Sequence, residues 1–132
     1  GNGDLYLFIS IDNHNIFKRS EENLYYELPI SFSDAALGSS VDVPSIDGGK
    51  SKIKIPPGTQ HGKQFRLRGK GMPILRRTAF GDLYIRIITE VPVSLSKRQK
   101  ELLEEFKGIE ETKPNPVIKS FFERAKKFWG SK

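Results

Sequence analysis

Few side chains in this sequence could do covalent or metal chemistry. There are two histidines, His14 and His61, and no cysteine. Nucleophilic catalysis needs a nucleophile, a base and a group that orients the base. Neither histidine sits in a motif that supplies these, and both read as structural residues. With no thiols and two imidazoles far apart in the chain, a metal site of nitrogen and sulfur ligands is too short of donors. Gly58-Thr59-Gln60-His61-Gly62-Lys63-Gln64 has the outline of a phosphate loop. It is one residue short, however, and Gln64 stands where a magnesium-binding Ser or Thr belongs. It also follows Pro56-Pro57 and leads into a strand pattern instead of a helix. The expectation is a chain with no catalytic residues, no metal ligands and no enzymatic activity.

Charge is the stronger signal. The formal net charge is +6, and no Asp or Glu occurs from Gly48 to Gly81. That stretch carries Lys50, Lys52, Lys54, Lys63, Arg66, Arg68, Lys70, Arg76 and Arg77. Lys52, Lys54, Arg66 and Arg68 alternate with apolar residues, so they are expected to face water and to form a positive surface for an acidic partner. Phe65 and Phe80 interleave with these cations, the pattern of a nucleic-acid surface that joins phosphate attraction to base stacking. Phe65, though, falls on the same alternating face as Leu67, which argues for core packing over stacking.

The elements that would position these residues are mostly short strands. Leu5, Leu7, Ile9 and Ile11 alternate with Tyr6, Phe8 and Ser10. Leu24 to Ile30 puts Tyr26, Leu28 and Ile30 on one face and Tyr25 and Glu27 on the other. Val41 and Val43, Ile53 and Ile55, Phe65 and Leu67, and Leu83, Ile85 and Ile87 mark four further strands. Asp47-Gly48-Gly49 signals a hairpin, Pro56-Pro57-Gly58 a loop, and Gly69-Lys70-Gly71-Met72-Pro73 another break. Ser33 as cap, Asp34 in the first turn and Gly38 at the end predict one short helix. Gly3-Asp4-Leu5-Tyr6 and Gly81-Asp82-Leu83-Tyr84 echo one another and suggest two successive copies of a similar domain.

Beyond Pro92 the period changes to helical. Ser96 with Gln99 forms a capping box, Leu102, Leu103 and Phe106 share a face, and Gly108 is the expected stop. Glu110 to Pro116 reads as a linker. Val117, Ile118, Phe121, Phe122, Ala125, Phe128 and Trp129 then form the apolar stripe of a second, basic amphipathic helix. Such a stripe can dock on protein or lie in a membrane interface. No apolar run reaches the ~18 residues of a membrane span, and no signal peptide opens the chain. The expected class is mainly β: a β-sandwich-like domain with one short helix, followed by C-terminal helices. The Gly1-Asn2-Gly3 start, without Met, suggests a piece of a longer protein, and the lack of cysteine fits a reducing, cytoplasmic setting.

Several stretches, in order, resemble one family. Leu28-Pro29-Ile30-Ser31-Phe32-Ser33-Asp34-Ala35-Ala36-Leu37-Gly38 resembles the strand–helix unit of DnaJ C-terminal domains, and Val43-Pro44-Ser45-Ile46-Asp47-Gly48 the hairpin after it. Ile55-Pro56-Pro57-Gly58-Thr59-Gln60, with Gly62, and Phe65-Arg66-Leu67-Arg68-Gly69-Lys70-Gly71-Met72-Pro73 are similar to that family's most specific region. Gly81-Asp82-Leu83 and Leu95-Ser96, with Gln99 and Leu102-Leu103, continue the likeness, which runs from Gly3 to about Phe106. The resemblance implies a co-chaperone that carries unfolded client polypeptides to a DnaK-type chaperone. It also implies what is missing here: His14 is followed by Asn15 and Ile16, not by the Pro-Asp of a J domain, and the cysteine-rich repeats that bind the family's zinc are absent. Residues 1–17 would be the last strand of a first β domain, 18–93 the second β-sandwich domain, and 94–132 a helical dimerisation region. By the internal echo, the client groove maps onto Tyr26, Leu28, Val41, Val43 and Ile85. Homodimerisation falls to Leu102, Leu103, Phe106, Phe121, Phe122, Phe128 and Trp129. The family also binds the acidic tail of its partner chaperone, which Lys52, Lys54, Arg66 and Arg68 would receive here; no membrane partner is expected, and a basic nucleic-acid-binding domain is the alternative reading.

Overall fold

The computed structural model describes residues 16–74 and 79–130. The expected strand from Leu5 to Ile11, the first copy of the Gly-Asp-Leu-Tyr echo, His14, and Arg76 with Arg77 lie outside these residues. The chain divides into two units, Gly1–Pro92 and Val93–Lys132.

Alternation drives the first unit. In order come β1 (Lys18–Ser20), β2 (Asn23–Ser31), α1 (Phe32–Leu37), β3 (Ser39–Pro44), β4 (Lys50–Ile55), β5 (Gln64–Leu67) and β6 (Leu83–Glu90). β1, β2, β6 and β5 form a four-stranded sheet in that order, while β3 and β4 form a two-stranded hairpin sheet. Leu24, Tyr26 and Ile30 of β2 and Leu83, Ile85 and Ile87 of β6 turn one face inward. Val43, Ile53 and Ile55 come from the hairpin to meet them, with Ala35, Ile46 and Met72 closing the same cluster. The two sheets thus share one core, as a mainly β, sandwich-like unit requires. β2 and β6 pair in parallel, from Leu24 opposite Leu83 to Ser31 opposite Glu90. A parallel pair needs a long crossover, and α1, the hairpin and β5 all lie within it.

The turns carry specific jobs. Ser31, not Ser33, caps α1: its hydroxyl accepts from the Asp34 N–H at 3.0 Å. Gly38 ends α1 at φ +85°, and its backbone lies against the Pro57 ring, 3.0 Å from where a Cβ would stand. The Pro56-Pro57-Gly58 loop is tied to α1 by the Gly58 and Thr59 N–H groups, both donating to the Ala35 carbonyl. Gly71 and Gly81 are required for a different reason. A Cβ on Gly71 would stand 2.5 Å from the Glu22 carbonyl oxygen, and one on Gly81 2.1 Å from it. Gly71 does not have the positive φ of Gly38 and Gly58; it is close backbone approach that excludes a side chain there.

The second unit contains α2 (Lys97–Thr112) and α3 (Pro116–Gly130). Ser96 and Gln99 form the full reciprocal capping box, at 3.1 and 2.8 Å. Gly108 does not stop α2, which runs on to Thr112. One mid-helix glycine costs only about 1 kcal/mol, and four more helical residues, Ile109 to Thr112, follow it. Neither helix contains a buried residue.

Candidate functional site

The outer face of the four-stranded sheet is laid out in rows by its register. Lys18 stands opposite Tyr25, Tyr25 opposite Tyr84, and Tyr84 opposite Arg66. The two phenol rings stack at 5.0 Å with 12° between their planes, and the Arg66 guanidinium lies 6.0 Å from the Tyr84 ring centre. The next row is Glu27, Arg86 and Gln64, with Arg86 bonded to Glu27 at 3.2 Å.

A groove of about 700 Å3 runs beside these rows. On the outer face it is lined by Lys18, Tyr25, Glu27, Tyr84, Arg86 and Gln64. Ile16, Tyr26, Leu28 and Pro44 line its other side, and Pro29, on the same face of β2 as Tyr25 and Glu27, lines it too. Tyr26 is buried against Phe17, edge to face at 5.1 Å, and its hydroxyl donates to the Pro44 carbonyl at 3.4 Å. Burial pushes that hydroxyl's pKa upward, so it stays protonated.

Between the two walls lies an edge of β2. β1 covers β2 only from Asn23 to Tyr25. Leu24 donates its N–H to the Asp82 carbonyl at 2.9 Å, so the even-numbered residues of β2 turn their backbone groups to β6 and the odd-numbered ones turn them away. Past Tyr25, no strand among the described residues pairs with that outward side. An open edge flanked by an apolar wall is the form that accepts an extended peptide by strand addition.

The cations from the acid-free stretch do not form one row. Lys52 and Lys54 are exposed on β4 of the hairpin sheet, while Arg66 is on β5 of the other sheet. Arg66 is also committed: it pairs with Asp82 at 2.6 Å. Asp82 accepts from the Gly69 N–H at 3.0 Å as well. The Gly69 N–H and the Arg66 guanidinium together hold the Asp82 carboxyl below the usual carboxylate range. Arg68 follows β5 and is exposed. The stacked Tyr25–Tyr84 pair already uses its facing ring surfaces, and Phe65 is half-buried against the core, so neither offers a free platform for bases.

Among the described residues no cluster of His, Asp or Glu is placed to hold a metal. The exposed His61 uses Nδ1 to accept the Thr89 N–H at 3.0 Å, tying the loop to the end of β6. Also among the described residues, no helix is long and apolar enough to cross a membrane.

Comparison with known proteins agrees with this architecture. Residues 1–92 match the family described as DnaJ C terminal domain. Residues 98–131 match the one described as Chaperone protein DnaJ C-terminal region. The chain belongs to the DnaJ C-terminal domain family. Relatives named Chaperone protein DnaJ include that of Pelagibacter ubique, 62% identical over 97% of this chain and 34% of the relative. Those of Rhodobacter capsulatus and Ruegeria sp. are 53% and 50% identical over 96% of this chain and 33% of each relative. The chain therefore spans about a third of the length of the curated relatives it matches.

Within this DnaJ C-terminal domain, the residues expected to form the groove separate. Tyr26 and Leu28 line it. Val43 and Ile85 do not: they are 1% and 0% exposed, packed between the sheets, and present no surface to a ligand. Val41 is half-buried against the same core. The mapping erred because Val43 and Ile85 sit on the inward face of their strands. Tyr25, Glu27, Pro29, Tyr84 and Arg86 were missed, being on the outward face or at the edge. One signal was in the sequence: Pro29 inside a strand pattern marks an edge strand. Of the residues assigned to dimerisation, Leu102, Phe106, Phe121, Phe122, Phe128 and Trp129 are exposed and Leu103 is half-buried.

Proposed function

We propose that this chain holds unfolded client polypeptides and joins two copies of a DnaJ co-chaperone, so that clients pass to a DnaK-type chaperone. The observation that carries the reading is the groove beside the open edge of β2, in a chain whose relatives are named as chaperone proteins. Backbone groups on an edge bind any extended chain, and apolar walls add preference without demanding one sequence, which is what a client holder needs. No bond is made or broken, which agrees with the absence of a catalytic motif. Such work belongs in the cytoplasm, where nascent chains and the partner chaperone meet.

Dimerisation is supported by the second unit. α2 and α3 together expose Leu102, Ile109, Val117, Ile118, Phe121 and Trp129, more apolar side chain than a small solvated unit usually carries. A two-fold pair of copies is the commonest way to cover such a surface. Of the acidic-partner surface, Lys52, Lys54 and Arg68 remain as exposed cations, and contacts to them are expected to be weak and salt-sensitive.

Two measurements test the reading. Light scattering of chemically unfolded luciferase, diluted with and without the chain, reports client holding; full aggregation at a fivefold molar excess of chain rejects it. Sedimentation of the chain against a version ending at Lys113, which keeps α2 whole, reports dimerisation. A full chain that sediments as a monomer at every concentration rejects that part.

A further inference from the structure

No membrane partner is expected from the family likeness, but α3 has the build of a helix that lies on one. Its sequence gathers the large apolar residues on one side. At about 100° per residue, Val117, Ile118, Phe121, Phe122 and Trp129 fall within an arc of about 140°. All five are exposed, from 51% for Phe122 to 79% for Val117. The cations border this stripe. Lys119 and Lys126 flank it beside Phe122, and Arg124 flanks it beside Val117. Long basic side chains at such borders lay their methylenes along apolar surface and lift the charge into water. Glu123, the one acid of the helix, projects opposite the middle of the stripe. The helix has 15 residues. At 1.5 Å each that is about 22 Å, shorter than a ~30 Å hydrocarbon core, so it can lie in a bilayer surface and not cross it.

Charge decides what covers the stripe. α2 carries five Glu against four Lys and Arg, a mixed face that gains nothing from an anionic surface. α3 carries four cations and one acid, with aromatic bulk between its basic borders. A basic amphipathic helix with Phe and Trp on its apolar side is suited to an anionic lipid surface. We propose that α3 is a surface-binding helix that sinks its apolar stripe just below the headgroups of an anionic bilayer, with Lys119, Arg124 and Lys126 against the lipid phosphates. This goes beyond the client-holding reading. The same stripe serves self-association in solution, so a lipid surface and a second copy compete for it.

Trp129 is the only tryptophan of the chain, so its fluorescence reads α3 alone. The 132-residue chain is titrated with phosphatidylcholine vesicles containing about a third phosphatidylglycerol, and with vesicles of phosphatidylcholine only. On the anionic vesicles the emission is expected to shift to the blue and to be quenched by brominated acyl chains. Affinity for the neutral vesicles is expected to be at least about tenfold lower. Lys119→Glu with Lys126→Glu is expected to weaken anionic binding at least about tenfold, since each basic residue near the surface contributes about a factor of five. Lys63→Glu with Lys70→Glu makes an equal change of charge on exposed residues of the first unit. It is expected to alter binding less than about twofold. Equal losses from the two pairs overturn the proposal, because attraction would then follow overall charge. Equal binding to neutral vesicles, no binding, or no quenching by brominated lipid does the same. So does emission that is already blue-shifted without lipid and unmoved by it, the sign of a second copy that keeps the stripe. Luciferase protection and sedimentation without lipid read the client and pairing proposals separately, and failure of either leaves these outcomes standing.

Discussion

The two units of this chain are held together by opposite means. The first buries a continuous apolar cluster from both sheets, with Leu24, Leu83, Ile85 and Ile87 wholly withdrawn from water. The second buries none of the residues of its two helices and relies on a capping box, helix-forming residues such as Glu, Lys and Leu, and whatever its apolar stripes meet. Isolated helices of this length are marginal in water. The contrast teaches that the large apolar side chains left exposed are concentrated in the two helices, while the first unit encloses a core of its own.

Substitutions can break this comparison or sharpen it. The largest effect is expected from Ile85→Ala, at about 2–5 kcal/mol, because the cavity opens in a closed core; urea denaturation followed by near-ultraviolet tyrosine dichroism measures it. If Ile85 were a groove residue instead, stability would hold and only client binding would fall. Gly81→Ala is expected to cost about 1–3 kcal/mol, since the Cβ overlaps the backbone of the β1–β2 turn at Glu22 and neither segment can retreat cheaply; the same denaturation curve reads it.

In the second unit, Phe121→Ser with Trp129→Ser is expected to raise the dimer dissociation constant at least about tenfold in sedimentation, leaving the tyrosine signal of the first unit unchanged. Ser96→Ala removes half of the capping box and is expected to reduce helix stability by about 1 kcal/mol, seen as helical dichroism lost at lower temperature. The smallest effect concerns Asp82. Its folded pKa lies below its unfolded one, so its contribution is present above the ordinary carboxylate range and is lost as pH falls through the folded value. Asp82→Asn should therefore lower stability slightly near neutrality, leave it little changed at low pH where the carboxyl is already protonated, and so flatten the acid limb of the stability profile.

Much of the fold was legible because local pattern and burial agree. The two-residue period of Leu83, Ile85 and Ile87 marks β6, and the Ser96–Gln99 spacing marks the start of α2. What escaped was long-range. Periodicity says which side chains share a face, not which strand lies alongside, so the parallel pairing of β2 with β6 left no local trace. The groove escaped for the same reason. Tyr25, Glu27 and Tyr84 look like solvated alternates in their own strands, and become a site only when the register sets them side by side. Val43 and Ile85 were drawn into the expected groove because apolar character alone does not separate a ligand wall from a core. Helix ends were misplaced where two serines compete for one cap and where a lone glycine was read as a stop.

The parallel pairing also sets a timetable. β2 leaves the ribosome early, yet the strand it must lie against is the last one of the unit. Until β6 has been synthesised, Leu24, Tyr26 and Ile30 lack their main apolar neighbours, while the β3–β4 hairpin can already close within itself. Bringing distant segments together is the slow part of folding, because chain entropy is lost before contacts repay it. The nascent domain therefore spends its synthesis with its own central strand uncovered, and so is itself an aggregation-exposed chain until β6 is made.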